Sequence, residues 1–568
     1  MSKEKTRGLN SFPVEIIHNI FHYLEKDIST LYSCVRVNRN LCKQVIPYLW
    51  NNPMPNTYSP VNIEIFIRFF DEKVKNLLKN QYELDIEDSY QPLFNYTCYI
   101  KILDPRGVRR AAFYWLKNYY VEKFPYSDIY IDFKNNQIID IIEKSLLRLI
   151  LKNSLKIENL LLDLAEKYQD IPNCNIFLLK ELQEREEGEE GGEGNQSNHS
   201  NHSNHSNNSN HSNHLDQSYQ SYQSNYPSHG IREITKLSIM NSSVKQFDNI
   251  QEFLDLLPTV CKNIKKVRFY DLFFIDPTME LKLCNVIKSQ KNLTSINLTY
   301  NFVNILRLIS VIKHQANSLK KLVLRYIHHN DMFLLNTFDQ LINLEYLEIN
   351  ECYPINIILE PLIRANLKLV TLKINDIEIR YDLVESIIKS SGSTLKHLEL
   401  NIYIDIIENS LPLSKLCPNL SHLDLKVSIR MINDDDDEYV DDLRRKKPTF
   451  FNYINHLKHL KYFSADFTYY VMSYIEDFDR YINFINFPSL RFISLKDQYY
   501  SSSNSFKRRF DHFSTMFNEI TFYIDSESDE YYLDPLEDFV REKKDSGLSL
   551  NYTFDGYYNF VATDRILY

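Results

Sequence analysis

The residues able to do chemistry are present in this chain, but their spacing argues against most of it. Only ten glycines occur in 568 residues, and four of them, Gly188, Gly191, Gly192 and Gly194, sit within a run of glutamates. A phosphate-cradling loop needs glycine backbone in an environment that welcomes an anion, and this one repels it. Neither H-E-x-x-H nor G-x-S-x-G occurs. His199, His202, His205, His211 and His214 could hold a transition metal through neutral imidazole. No cysteine or carboxylate framework accompanies them, and the repeated Asn-His-Ser reads more simply as a low-complexity expansion. Arg106, Arg109 and Arg110 could meet a phosphate, yet no phosphate-binding loop surrounds them. No catalytic residue, cofactor or metal ligand is assigned, and the expectation is a protein that is not an enzyme.

Composition narrows the classes further. A hydrophobic fraction of 43%, with 13% aromatic residues, supports a large core, and the length suits several domains or one extended array. A net charge of −10 and a pI near 5.9 speak against a general nucleic-acid binder. The polar start Met1–Asn10 carries no apolar signal region, and no apolar run approaches membrane-spanning length. Eight cysteines at 34, 42, 98, 174, 261, 284, 352 and 417 form no C-x-x-C pair, so a reducing setting with thiols packed as small apolar groups is expected. The expected compartment is the cytoplasm, and the nucleus too if Arg444-Arg445-Lys446-Lys447 serves as a localisation signal rather than a solvated loop.

The elements that would position a function begin at Ser11. Ser11, Pro13 and Glu15 are helix-start signals in the right order. Behind them Ile16, Ile17, Ile20, Phe21 and Leu24 recur at three- and four-residue spacing, which predicts an amphipathic helix. Ile28, Leu31, Tyr32, Val35 and Leu41 form a second apolar set, and Leu49-Trp50 closes the stretch. This segment resembles an F-box. Phe12-Pro13, Glu15, Ile16-Ile17, Ile20-Phe21 and Leu24 match the family's first helix. Asp27-Ile28 and Leu31 match its second, and Cys34-Val35-Arg36, Arg39 and Leu41 its third, while Asn38 stands where the family often has Trp. The resemblance implies docking on a Skp-type adaptor, and through it a cullin, by way of Pro13, Ile16, Ile17, Ile20, Leu24, Leu31 and Val35.

Behind this segment the chain repeats itself. Apolar-x-x-apolar-x-apolar occurs as Leu293/Ile296/Leu298, Leu319/Leu322/Leu324, Leu344/Leu347/Ile349, Leu369/Leu372/Ile374, Leu395/Leu398/Leu400 and Leu420/Leu423/Leu425, at steps of 25 or 26 residues. Looser copies start at Ile234, Ile264, Leu460 and Leu490, and Ile157/Leu160/Leu162 is an isolated earlier one. The pattern looks like the leucine-rich repeat, in which each short strand buries its apolar side against the neighbouring copies. Ile305–Lys313 and Asp382–Lys389 read as backing helices. The fold class expected is therefore α/β: an N-terminal helical F-box followed by a leucine-rich-repeat solenoid, a curved parallel sheet backed by helices.

The domain map that follows places the F-box at 9–53 and a helical linker with a candidate first repeat at 54–183. A disordered acidic and Asn/His/Ser-rich insert covers 184–228, the array 229–500 with a charged insert at 432–448, and a C-terminal cap 501–568. Within the linker, Leu103–Arg110 reads as a turn into a helix over Ala111–Tyr120, and Ile138–Leu151 as a second helix.

Side chains alternate across a strand, so the residues between the buried positions share one face. Three columns result: Ser295, Lys321, Tyr346, Thr371, His397, His422; then Asn297, Val323, Glu348, Lys373, Glu399, Asp424; then Thr299, Arg325, Asn350, Asn375, Asn401, Lys426. From these Lys321, Arg325, Tyr346, Glu348, Lys373, His397, Glu399, His422 and Asp424 are the expected contacts to a substrate protein. On the family's terms the chain is the substrate-recognition subunit of a Skp–cullin–F-box ubiquitin ligase. The alternative is a leucine-rich scaffold that recruits no ligase.

Overall fold

The computed structural model of the chain describes residues 13–25, 27–54, 63–86, 92–123, 133–163, 233–240, 248–270, 277–299, 306–327, 335–353, 355–375, 380–403, 413–428, 457–466, 492–497, 519–525, 549–551 and 557–563. The inserts at 184–228 and 432–448, with their histidines and basic cluster, and Cys174 lie outside the described residues. The chain forms two compact units, Met1–Leu293 and Thr294–Tyr568.

The first unit opens with three short helices, α1 (Val14–Tyr23), α2 (Ile28–Val35) and α3 (Arg39–Leu49). Their apolar faces close on one another, with Ile17, Phe21, Leu31, Leu41 and Val45 buried and Leu24, Cys34, Val35, Tyr48 and Leu49 packed around them. Asp27 caps α2 by accepting from the Thr30 amide at 3.0 Å, and Asn38 caps α3 by accepting from Leu41 N–H at 2.9 Å. A Trp at 38 could not make that cap, so Asn38 has a structural role of its own.

Next come α4 (Glu64–Ile67), α5 (Glu72–Tyr82), α6 (Pro105–Lys123) and α7 (Phe133–Asn153). Helix α6 starts at Pro105 rather than after residue 110. Proline suits a first helical turn, where its missing N–H is no loss, and Asp104 O accepts the Val108 amide at 3.0 Å. Arg109 does not await a phosphate. It donates to Asp140 at 2.6 Å and Glu143 at 2.7 Å on α7.

Four parallel strands follow the same rule in this unit: β1 (Ile102–Leu103), β2 (Asn159–Asp163), β3 (Lys236–Met240) and β4 (Lys266–Tyr270), in register β1–β2–β3–β4. In β3, Leu237 and Ile239 are buried while Lys236, Ser238 and Met240 are not. Two helices, α8 (Asp248–Val260) and α9 (Pro277–Ser289), accompany them. The strands therefore begin at Ile102, and the isolated copy Ile157/Leu160/Leu162 supplies β2.

The second unit carries β5 (Ser295–Thr299), β6 (Lys321–Arg325), β7 (Tyr346–Asn350), β8 (Thr371–Asn375), β9 (His397–Tyr403), β10 (His422–Ser428), β11 (Tyr462–Asp466), β12 (Phe492–Asp497) and β13 (Glu519–Asp525), all parallel in sequence order. The parallel run extends past residue 500, because β13 pairs with β12. Then β15 (Tyr557–Thr563) lies antiparallel to β13, with β14 (Ser549–Asn551) on its far side. Helices α10 (Leu306–Val311), α11 (Ile355–Arg364), α12 (Tyr381–Ser391) and α13 (Leu413–Leu416) fall between strands. This α/β architecture of stacked strand–helix units resembles a leucine-rich-repeat solenoid.

Polar side chains tie one repeat to the next. Ser391 Oγ donates to Leu367 O at 2.9 Å, and Thr394 Oγ1 to Leu369 O at 2.8 Å. Asn343 and Asn419 each reach back to a loop carbonyl of the preceding repeat, at Asn317 and Ser393. Cys261, Cys284, Cys352 and Cys417 are buried thiols, and none of the described cysteines forms a disulfide. Burial pushes the Cys417 thiol up to about 12, so it is protonated and inert.

Two consequences are measurable. A Cβ on Gly392 would lie 2.0 Å from the Leu416 carbonyl oxygen of α13, so Gly392→Ala should destabilise the chain by about 1–3 kcal/mol in denaturant titration. Burial raises the Glu143 carboxyl from 4.5 to about 7, although Arg109 beside it works the other way. The folded state then binds the extra proton, so this group's contribution to stability falls as pH rises through 4.5 to 7. Melting curves across that window should slope downward, and Glu143→Gln should flatten them.

Candidate functional site

Two surfaces stand out, one in each unit. On the N-terminal helices the core accounts for only half of the apolar side chains. Ile17 and Leu31 are buried and hold the three helices together, so neither is open to an adaptor, and Leu24 and Val35 are half-buried against that core. Pro13 is exposed, Ile16 is 44% exposed and Ile20 36%. Ile16, Ile20 and Tyr23 are three and four residues apart and so form one stripe along α1. Val14, Tyr23, Ile28, Tyr32 and Val37 are also exposed; spacing places Ile28 and Tyr32 in the second apolar set but does not single out Val14, Tyr23 or Val37. The signal was available: each stands beside, not on, the face that the buried residues define.

The other surface is the outward face of strands β5–β10. Register confirms the three columns, aligning Ser295, Lys321, Tyr346, Thr371, His397 and His422 in one row of neighbours. Their side chains engage one another across strands. Lys321 Nζ sits 3.5 Å above the Tyr346 ring, a cation–π contact. Tyr346 donates its hydroxyl hydrogen to Glu348 at 2.6 Å, and Arg325 Nε donates to the other Glu348 oxygen at 2.7 Å. Lys373 pairs with Glu399 on the next strand. Asn401 donates to Asn375 at 2.8 Å.

The consequence for recognition is specific. Glu348 is buried and held by two donors, so its charge is not offered to a ligand, and Val323 and Thr299 on the same face are buried too. Burial alone would raise the Glu348 carboxyl, but the Tyr346 and Arg325 hydrogen bonds outweigh it and leave it below its ordinary value. Burial, with that same hydrogen bond, raises the Tyr346 phenol, so it stays protonated. Lys373 and Glu399 are partly exposed, at 27% and 34% of their side chains, so the face is more open over β8–β10 than at Glu348.

There a ring ladder runs across three strands. His397 and His422 stack with centroids 5.4 Å apart and planes 1° from parallel, and Tyr462 of β11 continues the stack at 5.6 Å. Tyr462 was not among the expected contacts, because the 40-residue step before it hides the register. Burial, with Lys373 and His422 nearby, lowers His397 below its ordinary value, while Glu399 opposes this; burial and Lys461 lower His422. Both imidazoles are therefore largely neutral at pH 7. Among the described residues no group of three or more His, Cys, Asp or Glu is placed to hold a metal ion, and no helix is long and apolar enough to cross a membrane.

No protein-family model and no curated protein matches this chain. Among solved structures it is similar in part to the crystal structure of a TLR13–ssRNA13 complex, at 16% identity and a TM-score of 0.27. That likeness covers 48% of this chain and 37% of the other, so the chain spans little more than a third of that neighbour's length. A superposition that shallow carries no argument about ligands.

The histidine ladder makes a titration testable. Lys373→Ala removes a cation from His397 and releases Glu399 from its ion pair, and both changes favour the imidazolium. In ring-proton NMR the His397 midpoint should start below 6.5 and move up in this variant, while His422 stays where it is.

Proposed function

We propose that the chain is a non-catalytic substrate receptor of a Skp–cullin–F-box-type ubiquitin ligase. The N-terminal helices would dock on a Skp-type adaptor, and the strand face of the repeats would hold the substrate protein. The observation that carries this reading is the apolar stripe Ile16, Ile20 and Tyr23, left exposed by a helical unit whose own core is already complete. Burying a side chain of that kind stabilises a complex by roughly 1.5–3 kcal/mol, which is a strong reason for an apolar partner and none for a solvated surface. The matched positions Phe12-Pro13, Glu15, Ile16-Ile17 and Leu24 point to the adaptor as that partner.

The competing scaffold reading needs the helical unit to turn its apolar surface onto the chain itself. The side that meets the chain is a different one. Trp50, just past α3, packs at a tilt on Tyr96 at 4.3 Å and meets Phe66 edge-on at 5.3 Å. The α1 stripe remains on the outside.

The receptor would contribute no reacting group. Its effect is proximity: substrate lysines held near a ubiquitin thioester react at a raised effective concentration. The open part of the strand face, with His397, His422, Lys373, Glu399 and Asp424, is the proposed substrate surface. Lys321, Arg325, Tyr346 and Glu348 would frame it as a pre-paired cluster.

Co-purification of the full chain with a Skp-type adaptor tests the reading. Ile20 is not part of the buried cluster, and an aspartate there puts a charge into the apolar contact. It should weaken adaptor binding by about 30-fold or more. Equal recovery of adaptor with the native chain and with Ile20→Asp, or none with either, would sink the proposal.

A further inference from the structure

At nine strand starts among the described residues, one carbonyl at the foot of a strand accepts two consecutive amides from the next repeat. In the second unit the acceptors are Thr294, Lys320, Glu345, Val370, Lys396 and Ser421, each taking N–H groups at 2.7 to 3.1 Å. In the first unit Thr235 O takes Lys265 and Lys266, Glu158 O takes Thr235 and Lys236, and Lys101 O takes Glu158 and Asn159. The series does not stop at β1. Lys101 and Ile102 donate in the same paired way to Asn51 O, at 2.9 and 3.1 Å.

Asn51 directly follows Trp50, the C-cap of α3. It thus occupies the strand-foot position of a repeat although the segment before it is helical. Its side chain is held as well, donating to Glu25 of the α1–α2 loop. Three residues on, the Met54 carbonyl approaches Gly107 of α6 so closely that a Cβ there would lie 2.6 Å away. The Trp50 ring closes the gap between these backbone contacts by packing on Tyr96 and Phe66.

We propose that the N-terminal helical unit is also the capping module of the repeat array, with Asn51 as its zeroth repeat. Stacked repeats contact only their neighbours, so the first one has an apolar flank and a strand edge with nothing to meet them unless a cap supplies it. Here α3, Trp50 and Asn51 supply both the apolar plug and the hydrogen-bond acceptor. A partner seated on the outer stripe of α1 is therefore fixed relative to β1–β4 through backbone bonds rather than through a tether. The cap stands whether or not that partner is a Skp-type adaptor.

Hydrogen exchange on the full chain tests the cap. Trp50→Ala removes the plug, and Lys101→Pro removes one amide that reaches Asn51 while leaving the helical core intact. Both should speed exchange of the β1 and β2 amides by roughly tenfold or more, with residues 41–46 of α3 keeping native rates in Lys101→Pro. Ile20→Asp, on the outer surface, should leave the strands at native rates. Native exchange across β1 and β2 in both interior variants would overturn the proposal. So would equal loss of protection in Ile20→Asp, which would mark general unfolding instead of a lost cap.

Discussion

The shared carbonyl at the foot of each strand is the constraint on which the rest of this molecule hangs. A five-residue strand has too few bonds to be stable alone. When one oxygen receives two amides from the next copy, register is set at the first residue of each strand. Every later side chain then has its place: leucine and isoleucine at alternate positions turn inward, and the residues between them align in columns. The buried serine, threonine and glutamine side chains extend the same logic to the loops. Gln290, for example, donates to Cys261 O and accepts from Ile264 N–H, so the backbone between repeats stays satisfied where water is excluded.

Strict columns bring polar side chains within reach of one another, and this decides what the outward face can offer. Over β6 and β7 the charged groups satisfy each other: Glu348 answers Arg325 and Tyr346, and the Tyr346 ring receives Lys321. Such a cluster stiffens a surface more than it recognises a ligand, because a buried carboxylate already holding two donors has little left to give. Over β8–β10 the paired groups are less buried and the rings stack.

The N-terminal helices show the same division of labour within three short elements. Ile17 and Phe21 face inward, Ile16 and Ile20 outward, and Trp50 toward Phe66 and Tyr96. One segment of about forty residues therefore carries a core, an exposed apolar stripe and a plug. Asn38 shows how local chemistry starts an element: its side chain accepts the Leu41 N–H and caps α3.

Much of this was legible from spacing alone. The 25- and 26-residue period predicted the register of strands β5–β10, because burying Leu322 and Leu324 requires the same offsets in each neighbour. The helical pattern from Ile16 to Leu24 was equally plain. Other features resisted. Ile102–Leu103 is too short to show a period, β13 lacks the leucine triplet, and Gly107 and Pro105 looked like a turn although a helix starts there. Which apolar residues are core and which are surface, which charges are already paired, and where the array begins depend on contacts between residues 23 to 54 positions apart or more. Local spacing therefore determined the repeat and its columns, since both follow from the geometry of a single strand. Only the tertiary structure could decide that Glu348 is closed, that His422 stacks on His397, and that Asn51 ends the array, because each of these is set by what a distant segment brings to it.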